Sequence, residues 1–163
     1  MGNLPTSEVA EAPTLGNPGL VEAGSKYTLV MVDYDVDVSG TQTSVLQWYQ
    51  PDYALDSSGN NLVVTNTSAT NASYISPQPN QGSPHTYVAI LYQQPSDYEL
   101  PSCLDTQLSV RGGLDLRDFT NAAGLGQAVA ADWFQVQNPI PATTTYPITS
   151  TSVLSYDCSR TAH

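Results

Sequence analysis

The stretch Tyr27-Thr28-Leu29-Val30-Met31-Val32 is apolar at almost every position. A strand with one wet face alternates apolar and polar residues; this one does not, so both of its faces must be covered. It therefore demands a layered fold with a central strand and packed material on either side. Many Thr, Val and Tyr residues favour strands, and twelve Pro and eleven Gly imply many turns. With 163 residues, 40% of them hydrophobic, the chain can bury one proper core. We read residues 1–163 as a single domain, mainly β with a few short helices.

The other elements follow from pattern. Residues 1–25 read as loop, with a short helical turn starting at Ser7 in Ser7-Glu8-Val9-Ala10-Glu11 and stopped before Pro13. Val45–Tyr49 reads as a second strand ended by Pro51, Leu62–Thr65 as a shorter third, and Thr86–Tyr92 as a fourth. Ala128–Val136 reads as a final strand or buried extended segment. Between them, residues 66–84 are rich in Asn, Ser, Pro and Gln and predict a long loop, which in a compact domain is often functional. Leu114–Ala123 is the best helix: Asp115 can cap its first turn, Leu116, Phe119 and Ala123 share a face, and Gly124 sits where a left-handed cap belongs. Residues 138–152 are Pro- and Thr-rich and begin an extended C-terminal tail, 138–163. No internal repeat is visible.

The formal net charge is −11, and Lys26, Arg111, Arg117 and Arg160 are the only strong cations. Such a chain repels nucleic acid and anionic membrane surfaces and lacks the basic stripe that phosphate-backbone binding needs. No apolar run approaches the roughly 20 residues of a membrane span. Met1-Gly2 reads as a start placed on a mature chain, with a leader trimmed. Cys103 and Cys158 are either free buried thiols or a bridge, and are too few for a zinc site. Two sequons, Asn66-Thr67-Ser68 and Asn71-Ala72-Ser73, mark Asn66 and Asn71 as candidate glycosylation sites. Together with the low Lys content they point to secretion, where disulfides persist. A Cys103–Cys158 bridge would tie down the tail and contribute at most about 4 kcal/mol by restricting the unfolded chain.

Of two histidines, His163 is the last residue, so imidazole chemistry falls on His85. A lone histidine is commonly structural, but this one stands where the long loop enters a buried strand, after Gly82-Ser83-Pro84. Tyr87, two residues on, shares its face if the strand has begun. Asp33, Asp35 and Asp37 likewise share a face if they lie in a strand, about 6.6 Å apart per step. Three carboxylates so placed need cations, hydrogen-bond donors or water. They are either a solvated strand end, with Gly40 marking the turn, or part of a pocket. A calcium loop fits poorly, because Val38 stands where a glycine belongs and Ser44 where the final glutamate belongs. We expect no metal and no cofactor. A carboxylate beside His85 would orient the ring and stabilise an imidazolium able to hold an anionic oxygen or act as a general acid. Other catalytic signatures are absent: there is no G-x-S-x-G elbow, and Gly112-Gly113 and Gly124-Leu125-Gly126 lack phosphate-loop or dinucleotide spacing.

Four segments in order carry a resemblance: YTLVMVDYDVD from Tyr27, LQWYQPDY from Leu46, GSPHTYVAILYQQP from Gly82, and LDLRDFTNAAGLGQAVAADWFQVQ from Leu114. Their order resembles the phosphatidylethanolamine-binding protein family, also called the Raf kinase inhibitor or carboxypeptidase Y inhibitor family, in its secreted fungal branch. It spans roughly Ala10 to Gln137. The resemblance implies a central antiparallel sheet packed with a smaller sheet, a few helices, and a small anion pocket near the surface. The family's DPDxP segment falls on Asp33-Tyr34-Asp35-Val36-Asp37, keeping Asp33 and Asp35 and losing both prolines. Its G-x-H-R-Y segment falls on Ser83-Pro84-His85-Thr86-Tyr87, keeping His85 and Tyr87. A second pocket histidine falls on Gln47, and the Pro-rich wall on Ser76-Pro77-Gln78-Pro79. The implied ligand set is Asp33, Tyr34, Asp35, Gln47, Ser76, Pro79, His85 and Tyr87. With one histidine and the arginine gone, a small carboxylate or organic acid becomes as plausible a ligand as a phosphate headgroup.

Three functions compete. The first is binding of a small anionic or organic-acid ligand around His85. The second is an enzyme or accessory protein of fungal polyketide metabolism, for example in maleic-anhydride dimerisation, with His85 and Asp35 in proton transfer and a protein partner from the pathway. The third is protease or kinase inhibition through the 66–84 loop and residues 138–152.

Overall fold

The computed structural model describes residues 3–138 and 151–158. Most of the expected 138–152 tail lies outside the described residues, as do Arg160 and His163. Seven strands form one sheet: β1 (Leu4–Pro5), β2 (Leu15–Gly16), β3 (Lys26–Val38), β4 (Thr41–Leu55), β5 (Asn61–Val64), β6 (His85–Gln94) and β7 (Ala128–Gln137). Their order is β1-β7-β6-β3-β4-β5-β2. Every pairing is antiparallel except β1 with β7. The mainly β, antiparallel architecture expected from the sequence is what forms. The smaller sheet does not separate from it, because β4 continues past its ladder with β3 to pair with β5 through Tyr53, Ala54 and Leu55.

β3 lies between β4 and β6, as its unbroken apolar run requires. On one face Tyr27, Leu29 and Met31 pack with Trp48, Tyr53, Tyr87, Leu91 and Val136. On the other, Val30 and Val32 pack with Leu46 and Tyr49 and with residues of two helices, α1 (Asp105–Val110) and α2 (Leu116–Ala123). α2 is built as its sequence predicts: the Asp115 carboxylate accepts the Asp118 N–H at 3.0 Å, and Gly124 closes the helix at φ +70°. It starts two residues later than the sequence reading because Leu114 precedes the cap. The sequence reading has no counterpart to α1; six residues are too few to show helical periodicity. The turn at Ser7 forms as a 3₁₀ helix, Thr6–Val9.

β4 passes through Pro51, where the sequence predicts an end. Between the pairs Tyr27–Tyr53 and Leu29–Gln50 the register shifts, so Pro51 sits in a bulge where no ladder donor is needed. The next residue, Asp52, has φ +64°, a conformation few residues but Asp, Asn and Gly adopt readily. Local bonds hold it there. The Asp52 N–H donates to Gln94 Oε1 (2.9 Å), and its carboxylate accepts Gln94 Nε2 (2.9 Å) and Lys26 Nζ (2.8 Å). Thr28 Oγ1 completes the cluster on Gln94 Oε1 at 2.8 Å.

Cys103 and Cys158 form the disulfide, with Cα atoms 5.4 Å apart. It fixes residues 151–158 across the helical layer. Tyr156 stacks edge-on against Phe119 and donates to Gln107 Oε1 at 2.8 Å. Gly113, at φ +67°, lies under this segment so closely that a Cβ there would meet the Ser152 carbonyl oxygen. Gly113→Ala should therefore lift residues 151–158 off the helices, read as faster hydrogen exchange there. The disulfide double variant C103S/C158S should lower stability in urea melts by up to about 4 kcal/mol.

Burial pushes the Asp52 carboxyl up, but the bonds from Lys26 and Gln94 outweigh it and hold its pKa below the usual carboxylate value. A group depressed on folding contributes stability above its unfolded pKa and loses it as pH falls through the folded one. We expect Tm to drop on acidification below about pH 4. Asp52→Asn, which tolerates the same φ, should lower Tm at pH 7 and flatten the acid limb.

Candidate functional site

The end of β3 turns the sheet's buried face polar. Alternation carries Asp33 to the position after Met31 on the same face, so a carboxylate enters the core at 1% exposure. Such a group needs donors. Asp33 Oδ2 lies 3.0 Å from His85 Nδ1, and Asp33 Oδ1 accepts the Asp35 N–H at 2.9 Å. His85 opens β6 and is itself buried at 9% exposure. Asp35 reaches back across the strands, and its Oδ2 accepts the Thr86 N–H at 2.7 Å. The two aspartates thus grip the start of β6 at consecutive residues, one by its ring and one by its backbone.

Chemically, this fixes the imidazole. With Asp33 ionised, Nδ1 must carry the proton, which leaves Nε2 as the nitrogen available to a ligand. Tyr87 follows on the same face, its ring 6.5 Å from His85 and tilted by 25°, and Phe134 stacks on Tyr87 at 5.5 Å. Beside His85 opens a polar cavity of about 490 Å³, walled by Asp35, Asp37, Gln42, Asn80, Gln81 and Ser83, with Thr86 and Gln135 at its end. Among the described residues no Lys or Arg lines it, so there a protonated His85 would be its sole cation.

The three aspartates of the sequence motif take three roles. Asp33 is buried, Asp35 half-buried and Asp37 exposed. Asp37 accepts the Gly40 N–H at 2.9 Å and closes the β3–β4 turn, as the solvated-strand-end reading has it. Other expected ligands stand apart from the cavity. Tyr34 is 39% exposed, and its hydroxyl is pushed up by burial and by Asp115, the cap of α2. It therefore lies on the helical side, not beside His85. Gln47 is buried in a bulge of β4 and donates to the Ile75 carbonyl at 3.2 Å. It ties the 66–84 loop to the sheet rather than lining the cavity. Ser76 is half-buried and Pro79 buried in that loop, which meets the cavity through its later residues.

Arg111 helps hold the same loop. It ends α1 at φ +65°, and its guanidinium donates to the carbonyls of Leu46 (3.1 Å), Gln47 (3.2 Å) and Ser73 (3.1 Å). Burial lowers its pKa. Gln42, Asn80, Gln81 and Gln135 are cavity residues that the sequence reading missed. Gln42 had a signal: the Ser39-Gly40 turn, at φ +55° and +84°, pairs Asp37 with Gln42 directly. Gln135 had none, since only the β6–β7 register sets it opposite Thr86.

Asp33→Asn should switch the neutral His85 tautomer, because an amide can donate to Nδ1 and move the proton to Nε2. Ring ¹⁵N shifts at pH 8 would read this. The lost charge-assisted bond should cost roughly 1–3 kcal/mol in urea melts.

Comparison with known proteins agrees with this frame. The family model described as phosphatidylethanolamine-binding protein matches residues 2–135. A "Phomoidride biosynthesis cluster protein N" from Talaromyces stipitatus is 36% identical over 114 residues, covering 67% of this chain and 58% of that protein. A second protein of that name, from a fungal sp. isolate, is 35% identical over 116 residues, covering 69% of this chain and 53% of its own length. The chain thus spans little more than half the length of these curated relatives. Carboxypeptidase Y inhibitor, in the crystal structure of its complex with the cognate proteinase, superposes with a TM-score of 0.59 at 21% identity, over 83% of this chain and 76% of that one. At that identity the likeness concerns fold alone. With the family model covering most of its length, the chain belongs to the phosphatidylethanolamine-binding protein family.

Proposed function

We propose that this protein serves a fungal secondary-metabolite pathway, binding a small organic acid or its anhydride in the polar cavity beside His85 and moving a proton through His85 Nε2. The observation that carries the reading is the buried Asp33–His85 pair, 3.0 Å apart, whose histidine lines the cavity. A buried carboxylate that fixes the tautomer of a histidine facing a cavity is the arrangement general acid–base catalysis uses. Two relatives named as phomoidride biosynthesis cluster proteins support the pathway.

The wall chemistry narrows the ligand. Asp35 and Asp37 bring negative charge and only His85 can oppose it, so a phosphate dianion is disfavoured. A monocarboxylate can pair with the imidazolium, and a neutral acid or anhydride can hydrogen-bond to Gln42, Asn80 and Gln81. As a base, neutral His85 would take a proton from the allylic carbon of an alkyl-substituted maleic anhydride, leaving a dienolate delocalised onto the anhydride carbonyl; as imidazolium it would return one. We further propose passage through an oxidising secretory compartment. The disulfide supports this, and the exposed Asn66 and Asn71 offer glycan acceptors.

Incubating the protein in D₂O with small carboxylic acids and substituted maleic anhydrides, followed by NMR, tests the reading. Deuterium should enter the allylic position of the alkyl-substituted maleic anhydrides with wild-type protein and slow roughly 100-fold or more with His85→Asn. Calorimetry should show carboxylates binding more tightly than phosphate or phosphoethanolamine. Equal exchange with both proteins, or tighter binding of phosphate, would sink it.

A further inference from the structure

The structure holds a second cavity, larger than the one at His85. The N-terminal segment begins at one edge of the sheet, where β1 pairs with β7, and reaches the opposite edge, where β2 pairs with β5. Residues 6–14 therefore cross the whole face that carries Leu29 and Leu91. Val9 pins the crossing midway: its side chain is buried, and its carbonyl accepts the Tyr74 hydroxyl at 2.7 Å. Under this strap lies a cavity of about 620 Å³. Its floor is apolar and low, with Ala89 and Ala130 beside Leu29, Leu91 and Phe134. Small side chains there leave room that leucines at the same register would fill.

That volume is within the roughly 300–1,000 Å³ typical of small-molecule sites, and an apolar wall with a few polar groups is their usual character. The polar groups here are of one sign. Glu8, Glu11 and Asp132 stand at the lining, and no Lys, Arg or His does. Asp132 sits opposite Ala89 in the β6–β7 register, over the apolar floor itself. The Tyr87–Phe134 stack links the two sites: Phe134 lines this cavity, while Tyr87 leads on to His85 and the polar cavity.

We propose that this strap-roofed cavity is a second, independent ligand site, which takes an apolar chain or ring carrying a protonated amine. The apolar body is removed from water against the alanine floor. The amine head stays at the rim among Glu8, Glu11 and Asp132, where their field attracts a cation and repels a carboxylate. The two cavities thereby sort charged ligands: a carboxylate that pairs with His85 in one is repelled from the other.

The test uses the full chain and two probes of equal chain length, decylamine and decanoate, each below its micellar concentration at pH 7 and low salt. Binding is read by displacement of the neutral dye Nile red and by methyl shifts of labelled alanines. Decylamine should displace the dye at least tenfold more tightly than decanoate and move the methyls of Ala89 and Ala130. Added salt should shrink that ratio. Ala89→Leu should weaken both probes tenfold or more, Asp132→Asn should narrow the amine preference, and His85→Asn should change neither. The site is refuted if neither probe moves those methyls, which needs no variant to fold. The charge assignment is refuted if decanoate binds as tightly as decylamine. Failure of the His85 reading leaves this result untouched, since no measurement here depends on turnover.

Discussion

β3 must be dry on both faces, and the rest of the molecule is arranged to make it so. Its odd-numbered residues require a cover on one side, supplied by Trp48, Tyr53 and the N-terminal strap. Its even-numbered residues require one on the other, supplied by α1, α2 and the disulfide-tied segment at 151–158. The same alternation that buries Leu29 and Met31 carries Asp33 into the core. A carboxylate there costs several kcal/mol unless donors meet it. His85 and the Asp35 amide are those donors, so the candidate site is a consequence of how far the central strand extends.

Polar side chains do the joining that a small apolar core cannot. With few cations, the chain relies on amides and hydroxyls as junctions. Gln94 links β6 to Asp52 and Thr28, and Gln107 links α1 to the turn at Arg111–Gly112 and to Tyr156. Arg111 satisfies three loop and strand carbonyls, those of Leu46, Gln47 and Ser73. Each such group is worth about 1 kcal/mol when paired and costs more when orphaned. The loop that forms one wall of the His85 cavity is held by Arg111 on Ser73, by Gln47 on Ile75 and by backbone bonds of Ala72 and Ile75 to β4.

The difference between the two cavities is physical. At the β3 end the face is lined by carboxylates, amides and one imidazole, and it suits ligands that hydrogen-bond. Under the strap the same face is lined by alanines and leucines, and it suits ligands that avoid water. Tyr87 and Phe134, stacked on each other, span the ground between the two. One sheet face therefore presents two selectivities, set by which residues the strands bring there.

Long periodic segments were legible from the residues alone. β3, β6, β7 and α2 follow from apolar runs and from the Asp115 and Gly124 caps, and His85 stands out because the chain has almost no other imidazole. The family motif located Asp33, Asp35, His85 and Tyr87, and the structure brings these four together. It does not bring Tyr34 or Gln47 with them, because a bulge in each of β3 and β4 changes which way their neighbours point, and bulges leave little trace in sequence. The strap cavity was equally illegible: it exists because residues distant in the chain, 4–18 and 89–134, meet across the full width of the sheet. The amino-acid sequence by itself determined that a doubly buried strand would end in carboxylates near one histidine. Only tertiary structure decided which nitrogen of that histidine is held, which aspartates reach it, and where space remains, since those depend on register between strands far apart in the chain.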